Sequence, residues 1–166
     1  NFIADAQRDA AGTDVAVMNN GGIRADLRAG PATYGALFEV SPFGNFLVRL
    51  PATGAALRAY LERVVSRAQP NAHVSGIVVR FDATRPAGER IIDVTVGGAP
   101  LDPNRTYTVA MSDFMATGGD GLALAPPNGV TDTGIVDLDA LIAYAQSRPG
   151  GMIRPDPTVR IVAVPR

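Results

Sequence analysis

The chain has 166 residues, 46% of them hydrophobic and 19% charged, and a net charge of −1. This length suits one domain that buries roughly 70% of the surface its unfolded chain exposes, and the near-neutral charge provides no basic footprint for nucleic acid or an anionic membrane. All 15 basic residues are Arg and there is no Cys, which excludes a P-loop lysine, a Schiff base, a thiolate nucleophile, disulfides and Cys-ligated metal.

In chain order, Ile3, Ala6 and Ala10 share one face of a short helix that Gly12 ends. Val15–Met18 is an apolar run, predicted as a buried strand, and it leads into Asn19-Asn20-Gly21-Gly22-Ile23-Arg24. A short helix is predicted from Thr33 to Val40, stopped by Ser41-Pro42. Phe46 to Leu50 reads as a strand. The strongest helix signal runs from Thr53 to Ala68. There Leu57, Tyr60, Leu61, Val64, Val65 and Ala68 form one stripe, and Arg58, Glu62, Arg63, Ser66 and Arg67 fill the other face. Residues Gly76 to Asp82 alternate as a strand, as do Glu89 to Val96 beyond the turn Pro86-Ala87-Gly88. Tyr107–Met111 and Val159–Val164 are further strands. A helix from Val136 to Ser147 has Asp137 and Asp139 near its start, where the helix dipole favours anions. Strands and helices mix without strict βαβ alternation, so the predicted class is α+β, a mixed β-sheet with packed helices. No run of about 18 apolar residues exists to form a membrane-spanning helix.

Three segments place polar or aromatic residues beside glycines just after predicted elements, where ligands often bind. In Asn19–Arg24 the glycines admit close backbone approach, and Arg24 has the planar fork that clamps phosphate or ribose oxygens. Taken alone this is also a tight turn with a surface Arg. In Ser41-Pro42-Phe43-Gly44-Asn45 the ring is either a stacking platform or a core residue at a turn, and Asn45 has both a donor and an acceptor. In Ser112-Asp113-Phe114-Met115-Ala116-Thr117-Gly118-Gly119-Asp120-Gly121, three glycines surround one Asp, more than a turn requires. A carboxylate held there can accept both hydroxyls of a ribose cis-diol, with Phe114 as a second ring.

Together, Asn19-Asn20-Gly21-Gly22-Ile23-Arg24-Ala25-Asp26-Leu27, Tyr34-Gly35, Pro42-Phe43-Gly44-Asn45, Ser75-Gly76, Pro100-Leu101-Asp102-Pro103 and Asp113–Gly121 resemble the C-terminal domain of the 5'-nucleotidases. The likeness runs from Asn1 to about Leu122. It implies that residues 1–166 form the substrate-binding domain, and that a separate N-terminal metallophosphatase domain holds two divalent metal ions and hydrolyses a nucleotide. Carried onto this chain, it makes Phe43 and Phe114 the rings around the base and Asp120 the ribose acceptor. Arg24 becomes the phosphate- and ribose-side contact, Asn19 and Asn45 polar contacts to the base, and Gly76 a backbone neighbour of the pocket. The family carries a further Arg just before the position of Asn1.

The only His, His73, starts a predicted strand and reads as structural. The 16 acidic residues are scattered without ligand spacing, so no catalytic or metal residue is assigned to this chain. The chain opens within a predicted helix, without an initiator Met or signal peptide, and reads as a piece of a longer protein. A nucleotide or nucleoside and the metallophosphatase domain are the expected partners. Absence of Cys and the family likeness suggest a periplasmic, cell-wall or secreted protein. Arginine in place of lysine, with much Ala, Gly and Pro, suggests a GC-rich bacterial genome. The alternatives are the substrate domain of a 2',3'-cyclic-nucleotide phosphodiesterase or nucleotide-sugar hydrolase, and a binding module without catalysis.

Overall fold

A computed structural model describes residues 1–67, 69–124 and 129–164. Its elements are α1 (Phe2–Ala11), β1 (Val15–Asn19), α2 (Tyr34–Val40), β2 (Phe46–Thr53), α3 (Gly54–Val64), β3 (Ala72–Ser75), β4 (Ile77–Phe81), β5 (Ile91–Val96), β6 (Ala99–Pro100), β7 (Thr106–Ser112), α4 (Asp113–Ala116), β8 (Thr131–Val136), α5 (Asp137–Ser147) and β9 (Ile161–Ala163). The class is α+β, as read from the sequence, but the strands form two mixed sheets. One has the order β3-β1-β7-β2-β8 and the other β6-β5-β4-β9.

All five residues of β1 are buried, because the five-stranded sheet is covered on both faces. Val15 and Val17 point to one side, into a core shared with Leu57, Tyr60 and Leu61 of α3 and with Val79 and Ile91 of the smaller sheet. Met18 points to the other side, with Ile3 and Ala6 of α1, Leu37 of α2 and Leu141 of α5. Ala16 meets Ala11 and Ala110, and three small side chains let α1 lie close to the sheet. The alternation along β1 thus assigns each residue to one of two layers.

Helix α3 and strand β2 depart from the sequence reading. Helix α3 ends at Val64, not Ala68, which lies outside the described residues. The Ser66 hydroxyl donates to the Arg63 carbonyl at 2.8 Å, which competes with continuation of the helical ladder. The polar face of α3 is not simply solvated. Glu62 is buried and accepts the backbone N–H groups of Arg90 and Ile91 at 3.0 and 2.9 Å, which fixes the start of β5. Strand β2 continues past Leu50 through Pro51. Its partner β8 pairs only with Phe46–Arg49, so Pro51 falls where β2 has become an edge.

The last strand is tied to the first helix by Arg160, whose guanidinium grips both carboxylate oxygens of Asp5, the Nη2 arm at 2.8 Å, and also reaches Asp156. Burial raises the proton affinity of Asp5, but bonds from Arg160 and Ser75 outweigh it and hold its pKa below 3.8. Such a carboxylate stabilises the fold fully above pH 3.8, and the contribution is lost as pH falls through the depressed value. Arg160→Ala, which strands a half-buried carboxylate, is expected to cost about 3 kcal/mol. Thermal melts of wild type and Asp5→Asn should differ most near neutrality and converge below about pH 3.8. A constant gap across that range would contradict this account.

Candidate functional site

Strands β1 and β7 pair in parallel, with Val15 opposite Val109 and Ala16 opposite Ala110, so both run out at the same end of the sheet. The segment Asn19–Arg24 leaves β1 there, and Asp113–Gly121 leaves β7. Strand β2 is antiparallel to β7, with Leu47 opposite Ser112, so the loop Ser41–Asn45 enters at that same end. Strand β8 also finishes there, with Val136 opposite Phe46, and passes directly into α5 at Asp137. Four segments far apart in sequence are therefore forced together by register alone.

Asn19 is buried at the end of β1, and its Nδ2 donates to Asp120 Oδ2 at 2.6 Å, across 101 residues of chain. Asp120 has φ +56°, the only non-glycine residue with positive φ among the described residues. That backbone costs about 1–2 kcal/mol, less for Asp than for most side chains, and marks a place held by its surroundings. A Cβ on Gly21 would lie 2.9 Å from Asp120 Oδ2, so glycine there lets the carboxylate approach the turn after β1.

The two rings are held differently. Phe43 follows Pro42 in the loop after α2 and is 51% exposed; Phe114 lies in α4 and is 45% exposed. A Cβ on Gly119 would sit 2.3 Å from the Phe114 ring, so the ring rests on the glycine backbone. Arg24 is anchored by its N–H to the Val40 carbonyl at 2.9 Å. Its guanidinium stands 5.7 Å from the Phe43 ring centre and donates to the Gly21 carbonyl at 3.3 Å. Asn19, Arg24, Phe43, Asn45, Phe114 and Asp120 line one cleft of about 220 Å³.

Behind Asn45 lies Asp137, which is 2% exposed. It accepts from Asn45 Nδ2 at 3.2 Å and from its neighbour's N–H, that of Leu138, at 2.7 Å. Burial pushes its pKa up, the hydrogen bonds from Leu138 and Asn45 pull it back in part, and nearby Asp113 adds to the rise. The sequence places Asp137 in a first helical turn but carries no sign that it meets Asn45, 92 residues away.

Six of the seven residues expected at the pocket come together. Gly76 does not. It has φ +74° in the link between β3 and β4, where a Cβ would strike the Asp14 carbonyl oxygen at 2.1 Å. Ser75 pairs with Ala16 and Ala72 with Asn19, so Gly76 lies at the opposite end of β1 from the cleft, roughly 13 Å along the strand. Its glycine is required by backbone packing against Asp14. His73 is exposed on β3 and lines a second hollow with Arg160. Among the described residues, no three His, Asp or Glu side chains gather as metal ligands.

The description "5'-nucleotidase, C-terminal domain" matches residues 1–126. The chain belongs to the 5'-nucleotidase C-terminal domain family. It is 37% identical over 148 residues to Protein UshA of Escherichia coli, covering 87% of this chain and 26% of that protein. It is 36% identical over 152 residues to Endonuclease YhcR of Bacillus subtilis, covering 89% of this chain and 12% of that one. The structure of a 5'-nucleotidase precursor from Thermus thermophilus superposes on all of this chain and 35% of its own, with a TM-score of 0.89 and 37% identity. The chain thus spans between 12% and 35% of the length of these relatives. The span that matches the 5'-nucleotidase C-terminal domain contains all three glycine-rich segments, whereas Asp137 lies beyond it.

Gly119→Ala provides a structural check on the cleft. Glycine 119 does not need positive φ, so the backbone accepts Ala at little cost, but the new methyl displaces the Phe114 ring. We expect the melting temperature to change by no more than the equivalent of about 1 kcal/mol, while the ring protons of Phe114 shift in the NMR spectrum. Unmoved ring signals would contradict the seating described here.

Proposed function

We propose that this domain binds the nucleoside portion of a nucleotide, and that a separate metallophosphatase domain of the same protein hydrolyses the phosphate ester. The observation that carries the reading is the gathering of two half-exposed aromatic rings, one pinned carboxylate and one arginine in a single cleft. In this reading Phe43 and Phe114 stack on the two faces of the base. Stacking contributes about 1–3 kcal/mol per base and discriminates weakly between bases, because every base has a π-face. Asp120 accepts the ribose hydroxyls. Asn19 holds one of its oxygens and leaves the other for the ligand. Arg24 serves the phosphate side, and Asn45 meets the edge of the base. By holding the ligand in place, such a domain lets binding energy raise the rate of a reaction carried out elsewhere.

The described residues offer no set of three metal donors, so no hydrolytic step is assigned to them. Two divalent metal ions, an exported location and a bacterial source belong to the same proposal and rest on family membership. The relationship to a protein named an endonuclease favours a second reading, in which the complete protein cleaves a phosphodiester such as a 2',3'-cyclic nucleotide. The nucleoside cleft would serve either reaction.

Two measurements test the reading. The 166-residue chain, purified with Mn²⁺, Mg²⁺ or Zn²⁺, is expected to leave AMP intact; turnover that co-purifies with it and vanishes on chelation would contradict the division of labour. Asp120→Ala in the full-length protein should weaken adenosine binding ten- to a hundredfold, since a charge-assisted bond contributes about 1.5–3 kcal/mol. It should leave 2',3'-dideoxyadenosine nearly unchanged, because that ligand cannot donate those bonds. Backbone strain released at φ +56° affects both ligands alike, so equal losses would make Asp120 a purely structural residue.

A further inference from the structure

Among the described residues, Asn45 is the only side-chain amide at the cleft besides Asn19, and its surroundings determine which end of that amide a ligand meets. An amide has one acceptor oxygen and two N–H donors, and left free it turns either end outward. Here one N–H of Asn45 is committed to Asp137 Oδ2 at 3.2 Å. The same two residues exchange a second bond, from the Asp137 N–H to the Asn45 carbonyl at 2.9 Å, so the backbone of Asn45 is held as well. Asp137 cannot move away, because its other oxygen accepts the Leu138 N–H at 2.7 Å and it is almost wholly buried. The amide oxygen of Asn45 accepts no hydrogen bond from the described residues. An ionised carboxylate only accepts, so it can hold the NH₂ end and never the oxygen.

We infer that Asp137 is a positioning residue that fixes the amide of Asn45 with its oxygen and remaining N–H toward the cleft, and so selects bases that place an amino donor beside a ring-nitrogen acceptor. This rests on the nucleoside reading proposed above. Among purines the matching ligands are 6-aminopurine nucleosides, because an Asn amide fits the amino group and neighbouring ring nitrogen of adenine in a two-point contact. A 6-oxopurine presents an oxygen where the amide oxygen already stands. The two phenylalanine rings supply affinity with little choice of base; the Asp137–Asn45 pair supplies the choice.

The inference makes an uncommon demand on one isosteric substitution. In Asp137→Asn, the Leu138 N–H can be satisfied only by the oxygen of the introduced amide, which turns its NH₂ group toward Asn45. Two NH₂ groups cannot bond, so Asn45 must rotate and present its own oxygen inward, leaving its NH₂ toward the ligand. Preference should therefore reverse and not merely fade. A residue that only caps α5 would, when replaced, lower stability or weaken both ligands together.

The test is calorimetric titration of the full-length protein with adenosine and with inosine, each variant being checked for its melting temperature. Wild type is expected to favour adenosine by about tenfold, the effect of one well-placed hydrogen bond. Asp137→Asn should invert that preference, and Asn45→Ala should bring the ratio to about one. If both nucleosides bind and both weaken in Phe43→Ala, but the ratio is unmoved in Asp137→Asn, the nucleoside reading stands and the inference about Asp137 falls. If neither nucleoside binds the wild type, both fall. Should Asp137→Asn not fold, Asn45→Ala decides: a ratio that drops to about one supports the orientation role, and a retained preference overturns it.

Discussion

The parallel pairing of β1 with β7 is the constraint on which the rest of the site depends. Two adjacent parallel strands end at the same side of a sheet, so the loops that follow them are neighbours whatever their sequence separation. The register Val15–Val109 and Ala16–Ala110 brings Asn19 level with the start of α4, and the bond from Asn19 to Asp120 follows from that placement. The antiparallel neighbours β2 and β8 complete the arrangement, one entering and one leaving at the same end. Slippage of β1 by one residue would exchange its two buried faces and carry Asn19 away from Asp120. The burial of all five residues of β1, valines to one layer and Met18 to the other, opposes any such slip.

On this frame the site concentrates local cost. Asp120 sits in a left-handed conformation between Gly118 and Gly121, both also at positive φ. Gly21 and Gly119 are needed for a different reason: each leaves room for a neighbouring functional group, a carboxylate in one case and an aromatic ring in the other. Asp137 is held almost without solvent at the end of β8. Strain, close approach and a buried carboxylate cluster at functional sites because the surrounding fold must over-determine them. The second hollow, of about 370 Å³ beside His73, lacks these features. Its Arg160 is already engaged by Asp5 and Asp156 as a structural clamp.

Much of this was legible in the sequence, and the remainder was hidden for identifiable reasons. The apolar run at Val15–Met18, the stripe on α3 and the alternation at Ile77–Phe81 each state their own periodicity. Glycine-flanked Phe43, Phe114 and Asp120 stand out as more than turns require. Strand β8 is hidden because Asp132 and Gly134 interrupt its β-branched residues and leave no apolar alternation; it is a strand because β2 offers an edge to pair with. Strand β3, Ala72–Ser75, is four residues long and takes its form from β1. The family motif Ser75-Gly76 points to the pocket, whereas the glycine answers to the Asp14 carbonyl at the far end of the sheet. The Asn45–Asp137 contact depends on β8 ending where β2 begins, and no local pattern reports that.

The most direct test of the central claim is to follow the backbone and ring signals of the protein by NMR as adenosine is added. The largest shifts are expected in Asn19–Arg24, Phe43–Asn45 and Phe114–Asp120, with a smaller change at Asp137 and none at His73 or Arg160. Shifts centred on His73 and Arg160, with Phe43 and Phe114 unmoved, would contradict it.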